Sequence, residues 1–236
     1  MKLLVAIPVH NEQQYVCEVL TEIKRYHADI LVVDDGSTDR TPALLAAISG
    51  LHVLRHETNG GYGSSIIDAF HWADTHGYDW VITMDCDRQH EPQRIPGFIR
   101  AIETDRWDLI SGSRYLQSDT KDDLPPLDRR SINATMTCII NDLFGTTLTD
   151  SFCGFKAHRV KPTIALGLTE KGYAFPMQLW PRAIAAGLHI TELPVRLIYN
   201  DPNRHFGGGL DDPSERLTHY LEVLNTETIR SGARRG

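Results

Sequence analysis

The order of apolar and polar positions gives the chain two different rhythms. In the first part, short apolar runs at residues 3–8, 30–33, 51–54, 80–84 and 109–111 alternate with stretches of helical spacing at 12–26, 41–49, 60–76 and 92–103. Near-continuous apolar runs are the mark of strands buried on both faces. Their regular alternation with helices predicts a mainly parallel, doubly wound sheet flanked by helices. The second part is less regular. Residues 117–128 are polar, carry Pro125-Pro126 and read as a loop; 146–156 read as irregular or short strand; 200–213 form a Gly-rich loop. Helical spacing returns at 129–144, 175–186 and 214–229, and a short basic tail closes the chain. A last apolar run at 190–197 contains Pro194, so this strand lies at a sheet edge or begins after the proline, which has no N–H for a ladder.

No internal repeat or low-complexity linker breaks the pattern, and 236 residues suffice for one well-buried α/β domain. Composition narrows the function classes. Apolar residues make up 41% and charged residues 23%, the globular range. A net charge of −7 without a long Lys/Arg run argues against a general nucleic-acid binder. Cys17, Cys86, Cys138 and Cys153 form no C-x-x-C pair, which fits a reduced, cytoplasmic compartment. The opening apolar run is too short for a signal peptide or a span, and no later run reaches the ~18 residues a span requires. The expectation is a soluble chain, at most peripheral at the inner face of a membrane. The apolar positions Ile132, Met136, Ile139, Ile140 and Leu143 are expected to pack on the domain, with docking on a bilayer as the alternative.

Four polar clusters fall at the carboxyl ends of predicted strands, where open parallel sheets bind ligands. They are Pro8-Val9-His10-Asn11-Glu12, Asp34-Asp35-Gly36-Ser37-Thr38-Asp39, Asp85-Cys86-Asp87-Arg88-Gln89-His90 and Ser111-Gly112-Ser113-Arg114. Asp85 and Asp87 flank one residue, a spacing that suits a hard divalent ion, Mg²⁺ or Mn²⁺, placed to offset diphosphate charge. A lone D-x-D is more often a solvated acidic turn; Gln89, His90 and the other three clusters change that reading. In the second cluster, Gly36 permits a sharp turn, a carboxylate can accept from a base or ribose, and Ser37 or Thr38 is placed to cap the next helix. Gly60-Gly61-Tyr62-Gly63 reads first as close backbone packing and second as phosphate contact; it is not a P-loop. Arg114, Arg129, Arg130 and Arg204 are candidate phosphate ligands.

Taken in order, these stretches resemble family 2 glycosyltransferases, and within them the polyprenyl-phosphate (dolichol-phosphate) mannosyl- and glucosyltransferase branch. The segments that carry the resemblance are Ile7-Pro8-Val9-His10-Asn11-Glu12, Val33-Asp34-Asp35-Gly36-Ser37-Thr38-Asp39, Asp85-Cys86-Asp87-Arg88-Gln89-His90-Glu91-Pro92, Gly112-Ser113-Arg114 and Asp150-Ser151-Phe152-Cys153-Gly154-Phe155-Lys156. The resemblance implies a single GT-A domain over residues 1–236, with 1–112 holding the nucleotide sugar and 113–230 the acceptor. It implies inverting transfer of a hexose to a polyprenyl phosphate. Pro8, His10, Glu12 and Asp35 would surround the nucleoside, with His10 in place of the usual Tyr. Asp85, Asp87 and Gln89 would surround the metal and diphosphate. Arg114 and a basic residue at the next helix start, Arg130 or Arg129, would face the acceptor phosphate. Asp150 occupies a position near the acceptor and is the first candidate base should the acceptor be a hydroxyl. The late R-x-x-G-x-S-K motif of the branch survives here as Arg204 and Gly207 without the Ser and Lys. The other readings are the same donor chemistry with a soluble acceptor, a nucleotidyltransferase, or a non-catalytic module. The first strand lacks the Gly-rich loop of nucleotidyltransferases, and intact Asp85, Asp87 and Arg114 speak against a non-catalytic module.

Overall fold

A computed structural model describes residues 1–117, 123, 125–199 and 208–231. Seven strands form one sheet: β1 (Leu3–Val9), β2 (Ile30–Asp34), β3 (His52–Arg55), β4 (Trp80–Thr83), β5 (Leu109–Ser113), β6 (Lys156–Arg159) and β7 (Ile190–Pro194). Their order is β3-β2-β1-β4-β6-β5-β7. The first four pair parallel, as do β5 and β7, while β6 runs antiparallel to both of its neighbours. Pro194 ends the edge strand β7, where a missing N–H costs the ladder nothing.

Alternation along β1 explains the two layers. Leu3, Val5, Ile7 and Val9 pack against α1 (Val16–Ile23), α2 (Thr41–Ala46) and α4 (Ile95–Glu103). Leu4 and Ala6 face the opposite layer of α3 (Tyr62–Thr75), α5 (Leu127–Phe144), α6 (Val160–Ala165), α7 (Phe175–Ala185) and α8 (Pro213–Ser231). Successive strand residues point to opposite faces, so an unbroken apolar run is what a doubly covered strand requires. On α5, Ile132, Met136 and Ile140 lie inside this second layer, so its apolar face packs on the domain rather than on a bilayer. Among the described residues no helix is long and apolar enough to cross a membrane.

Register places the chemistry. Val9 pairs with Asp34, and Ala6 with Thr83, so the loops after β1, β2 and β4 emerge side by side. Lys156 pairs with both Thr83 and Ser111, so β6 enters the sheet directly after the stretch 150–155 and sets that stretch between the ends of β4 and β5.

The helix-entry reading of the second cluster needs correction. Ser37 Oγ accepts from the main chain of Asn11, and neither Ser37 nor Thr38 caps α2. The Asp39 carboxylate instead accepts from Thr41 N at 2.8 Å. Gly36 does make the turn, at φ +67°, and a Cβ there would lie 2.5 Å from the Thr58 carbonyl carbon.

Candidate functional site

A cavity of about 770 Å³ opens at the carboxyl ends of the strands. Pro8, His10, Glu12, Asp35, Asp85, Asp87, Gln89, Arg114 and Arg129 all line it. Arg130, one of the two residues put forward for the acceptor, does not; it is exposed one position along α5, and Arg129, the other, takes the place in the wall. Consecutive helical residues point about 100° apart, and with Arg129 turned to the cavity Arg130 is left exposed. Arg204 lies outside the described residues.

On the wall made by β1 and β2, the loops are tied together by Asn11. Its side-chain oxygen accepts from Thr38 N and Asp39 N, and its φ of +57° is one that Asn tolerates. His10 Nδ1–H donates to the Asp35 carbonyl, and Asn11 Nδ2 donates to His10 Nε2, so the ring is oriented from both sides. The Asp35 carboxylate is engaged by its own fold. Gly60 N and Gly61 N donate to it at 2.7 and 2.9 Å, and His56 Nδ1 lies 2.7 Å away. The Gly-rich opening of α3 is therefore a packing device, as first read. A Cβ on Gly63 would lie 2.1 Å from the Glu170 carbonyl, and the Lys171 carbonyl accepts from Ser64 N.

Asp85 and Asp87 sit on the turn after β4. Asp87 is buried and accepts from Gln89 N at 2.9 Å, while Arg88 between them adopts φ +62°. Gly154 explains its own place in the D-x-x-x-G-F-K stretch. A Cβ there would lie 2.5 and 2.9 Å from the two Asp85 carboxylate oxygens and 2.9 Å from the Tyr62 hydroxyl. Gly154→Ala is expected to displace the Asp85 carboxylate; on the reading proposed below, in which that carboxylate holds a divalent ion, transfer falls about 10- to 100-fold. Initial rates at saturating Mn²⁺, with the thermal midpoint as a folding control, measure it.

Asp150 stands apart from the position expected of a base. It is fully buried and absent from the cavity wall. Arg114 grips it through Nε at 2.6 Å and Nη2 at 2.9 Å, and Arg114 N, Asn133 Nδ2 and Phe152 N also donate to it. Burial pushes its pKa up, but the charge and hydrogen bonds of Arg114, with that of Asn133, overcome burial and hold it at about 2. Burial likewise opposes the Arg114 charge, and Asp150 more than offsets it, so the guanidinium stays protonated. Glu192 on β7 braces the same stretch by accepting from Thr149 N and Asp150 N, and the buried Lys156 Nζ donates to the Cys153 carbonyl.

Two wall residues were assigned no role from the sequence. Arg216 on α8 is buried and pairs with Asp128 of α5 at 2.7 Å. Tyr62 stacks on Tyr173 with ring centroids 5.8 Å apart. Both depend on contacts across about ninety or more residues, which no local pattern encodes.

The family model for "Glycosyl transferase family 2" matches residues 4–167. The chain belongs to that family. Among curated relatives, this transferase is 30% identical to the undecaprenyl-phosphate mannosyltransferase of Micrococcus luteus over 242 residues, covering 98% of each chain. It is 31% identical to the polyprenol monophosphomannose synthase of Mycolicibacterium smegmatis, over 81% of this chain and 76% of that one. The fold is shared with glucosyl-3-phosphoglycerate synthase from Mycobacterium tuberculosis in complex with UDP, at TM-score 0.71 and 18% identity, over 96% of this chain and 80% of the other. It is also shared with S. aureus TarS in complex with UDP-GlcNAc, at TM-score 0.64 and 17% identity, over 97% and 66%. The GT-A architecture of the transferase thus stands on sheet order and on these neighbours together.

Proposed function

We propose that the transferase moves a hexose from a nucleoside-diphosphate sugar to a polyprenyl phosphate, with inversion and with Mg²⁺ or Mn²⁺ at the Asp85–Asp87 turn. The observation that carries this reading is the Arg114–Asp150 pair. A hydroxyl acceptor needs a base, and Asp150 is buried, saturated with donors and held at about 2. A phosphate acceptor is already anionic at neutral pH and needs cations to hold it. Arg114, Arg129 and Arg216 line the cavity and supply them. The names of the two curated relatives, which specify undecaprenyl-phosphate and polyprenol monophosphomannose chemistry, agree.

In this reading residues 1–112 bind the donor and 113–230 the acceptor. Pro8, His10 and Glu12 border the nucleoside, and Asp35 acts by fixing the Gly60–Gly61 backbone beside it. Asp85 and Asp87, with Gln89, fit a divalent ion. Their oxygens are the ligands hard cations take, and Mg²⁺ typically uses only one or two carboxylates, with water and substrate phosphates completing its shell. The ion, when bound, neutralises charge that develops on the departing diphosphate. Arg114 and Arg129 orient the acceptor phosphate so that its oxygen meets the anomeric carbon on the face opposite the diphosphate, which inverts that carbon. The nucleoside diphosphate leaves with the bond electrons, and no proton need be removed from the acceptor.

The test is transfer from a panel of nucleotide sugars to undecaprenyl and dolichyl phosphate, against soluble hydroxyl acceptors, with Mn²⁺ or EDTA. Transfer only to soluble acceptors, or full activity in EDTA, would sink the corresponding part of the proposal. Arg129→Ala is expected to raise the KM for the lipid phosphate about tenfold or more, the worth of a charged hydrogen bond. Arg130→Ala is expected to leave it within about twofold, as for an exposed cation.

A further inference from the structure

Asp85 is held from behind by a residue that never reaches the cavity. His90 is buried at the end of the Asp85–His90 turn, packed against the ring of Phe155 at 5.5 Å between centroids. The main-chain N–H of Asp85 donates to His90 Nδ1 at 3.0 Å. That bond takes the Nδ1 lone pair, which leaves the ring proton on Nε2. Nε2 faces Asp85 Oδ2 at 3.8 Å and Cys153 Sγ at 4.0 Å. A single imidazole therefore fixes the backbone of Asp85 with one nitrogen and presents an N–H toward its carboxylate with the other.

The turn needs such a clamp. Arg88 is held at φ +62°, a conformation that non-glycine residues other than Asn and Asp seldom adopt and that persists only where the surroundings impose it. Gln89 N bonds the Asp87 carboxylate, so the second half of the turn is closed on Asp87 and the first half on His90. Gly154 lies close against the Asp85 carboxylate, where a Cβ would come within 2.5 Å of one of its oxygens.

We infer that His90 is a positioning residue: by accepting the Asp85 N–H and facing its carboxylate, it holds Asp85 in the arrangement that a divalent ion requires. The inference rests on the proposed metal role of Asp85 and Asp87 and goes beyond it, because His90 itself touches neither ion nor substrate. Partners that orient metal ligands in this way are worth about 10- to 100-fold in metal affinity.

The experiment compares His90→Asn and His90→Gln, both smaller and both polar. Asn places an acceptor where Nδ1 lies, whereas Gln reaches toward the Nε2 position and leaves the Asp85 N–H without its partner. Mn²⁺ binding to the whole protein is titrated by electron paramagnetic resonance with saturating UDP or GDP, and thermal midpoints are recorded without metal. The expected result is an Mn²⁺ affinity about tenfold or more weaker in His90→Gln and largely kept in His90→Asn. Midpoints of the two variants should be close to each other. Wild-type affinity in His90→Gln, or an equal loss in both variants that follows their midpoints, would overturn the inference while leaving the metal site standing. Failure of the wild-type protein to bind Mn²⁺ with either nucleotide would overturn the metal reading, and this inference with it.

Discussion

Asp87→Ala is expected to reduce transfer by on the order of a thousandfold or more, because it removes one of two carboxylates from a site asked to supply several kcal/mol of charge stabilisation. The fold should survive. Asp87 sits on a turn at the cavity wall, and the hydrogen bond its carboxylate accepts from Gln89 N is worth about 1.5–3 kcal/mol net, less than a domain's whole stability. Initial rates over a range of Mn²⁺ concentrations, alongside a thermal melt, measure both effects. The pattern expected is near-wild-type melting with lost activity that added Mn²⁺ does not restore. Retained activity that EDTA fails to abolish would remove the metal from the mechanism. Asp87→Asn is the sharper variant, since it keeps the size and the Gln89 N contact and deletes only the charge.

Asp150→Ala is expected to act on stability as well as on turnover. It strands the Arg114 guanidinium, whose side chain is 20% exposed, against a carboxylate site that has vanished. Breaking one partner of a buried ion pair typically costs about 3–5 kcal/mol. Chemical denaturation should show a loss of this order, and the KM for the acceptor phosphate should rise because Arg114 is no longer aimed. The pH dependence separates this positioning role from base catalysis. The Asp150 pKa is about 2 in the folded protein, below the roughly 3.9 of an unfolded Asp. The folded state thus prefers the ionised form. The stability this group contributes is complete above about pH 4 and is lost as pH falls through about 2. No limb in the wild-type rate profile between pH 5 and 8 should trace to it. A limb in that range that disappears in Asp150→Asn would restore Asp150 as a base.

Much of the site was legible because each cluster is local. Asp34-Asp35-Gly36-Ser37 turns sharply where only glycine fits, and Asp85-Cys86-Asp87 follows an apolar strand that delivers it to the sheet's carboxyl edge. The choice between Arg129 and Arg130 was not legible. It turns on which residue of α5 faces the cavity, and that follows from how Ile132, Met136 and Ile140 seat the helix in the second layer. The strand β6 was also missed. Lys-Ala-His-Arg does not read as a strand, because Lys156 and His158 are polar yet buried, and their places are set by neighbours distant in sequence.

By itself the sequence determined the layer architecture and the loops at the carboxyl ends of β1, β2 and β4. Both follow from short-range rules: periodicity of apolar residues chooses strand or helix, and Gly, Asp and Asn choose the turns. Only the tertiary structure decided what Asp150 is paired with, which arginines face the cavity, and how Asp85 is held. The antiparallel insertion of β6 carries Asp150 to Arg114 and Gly154 to Asp85, and α8 carries Arg216 to Asp128. Those meetings join residues tens of positions apart, and their energies come from burial and charge pairing, which exist only once the sheet has closed around them.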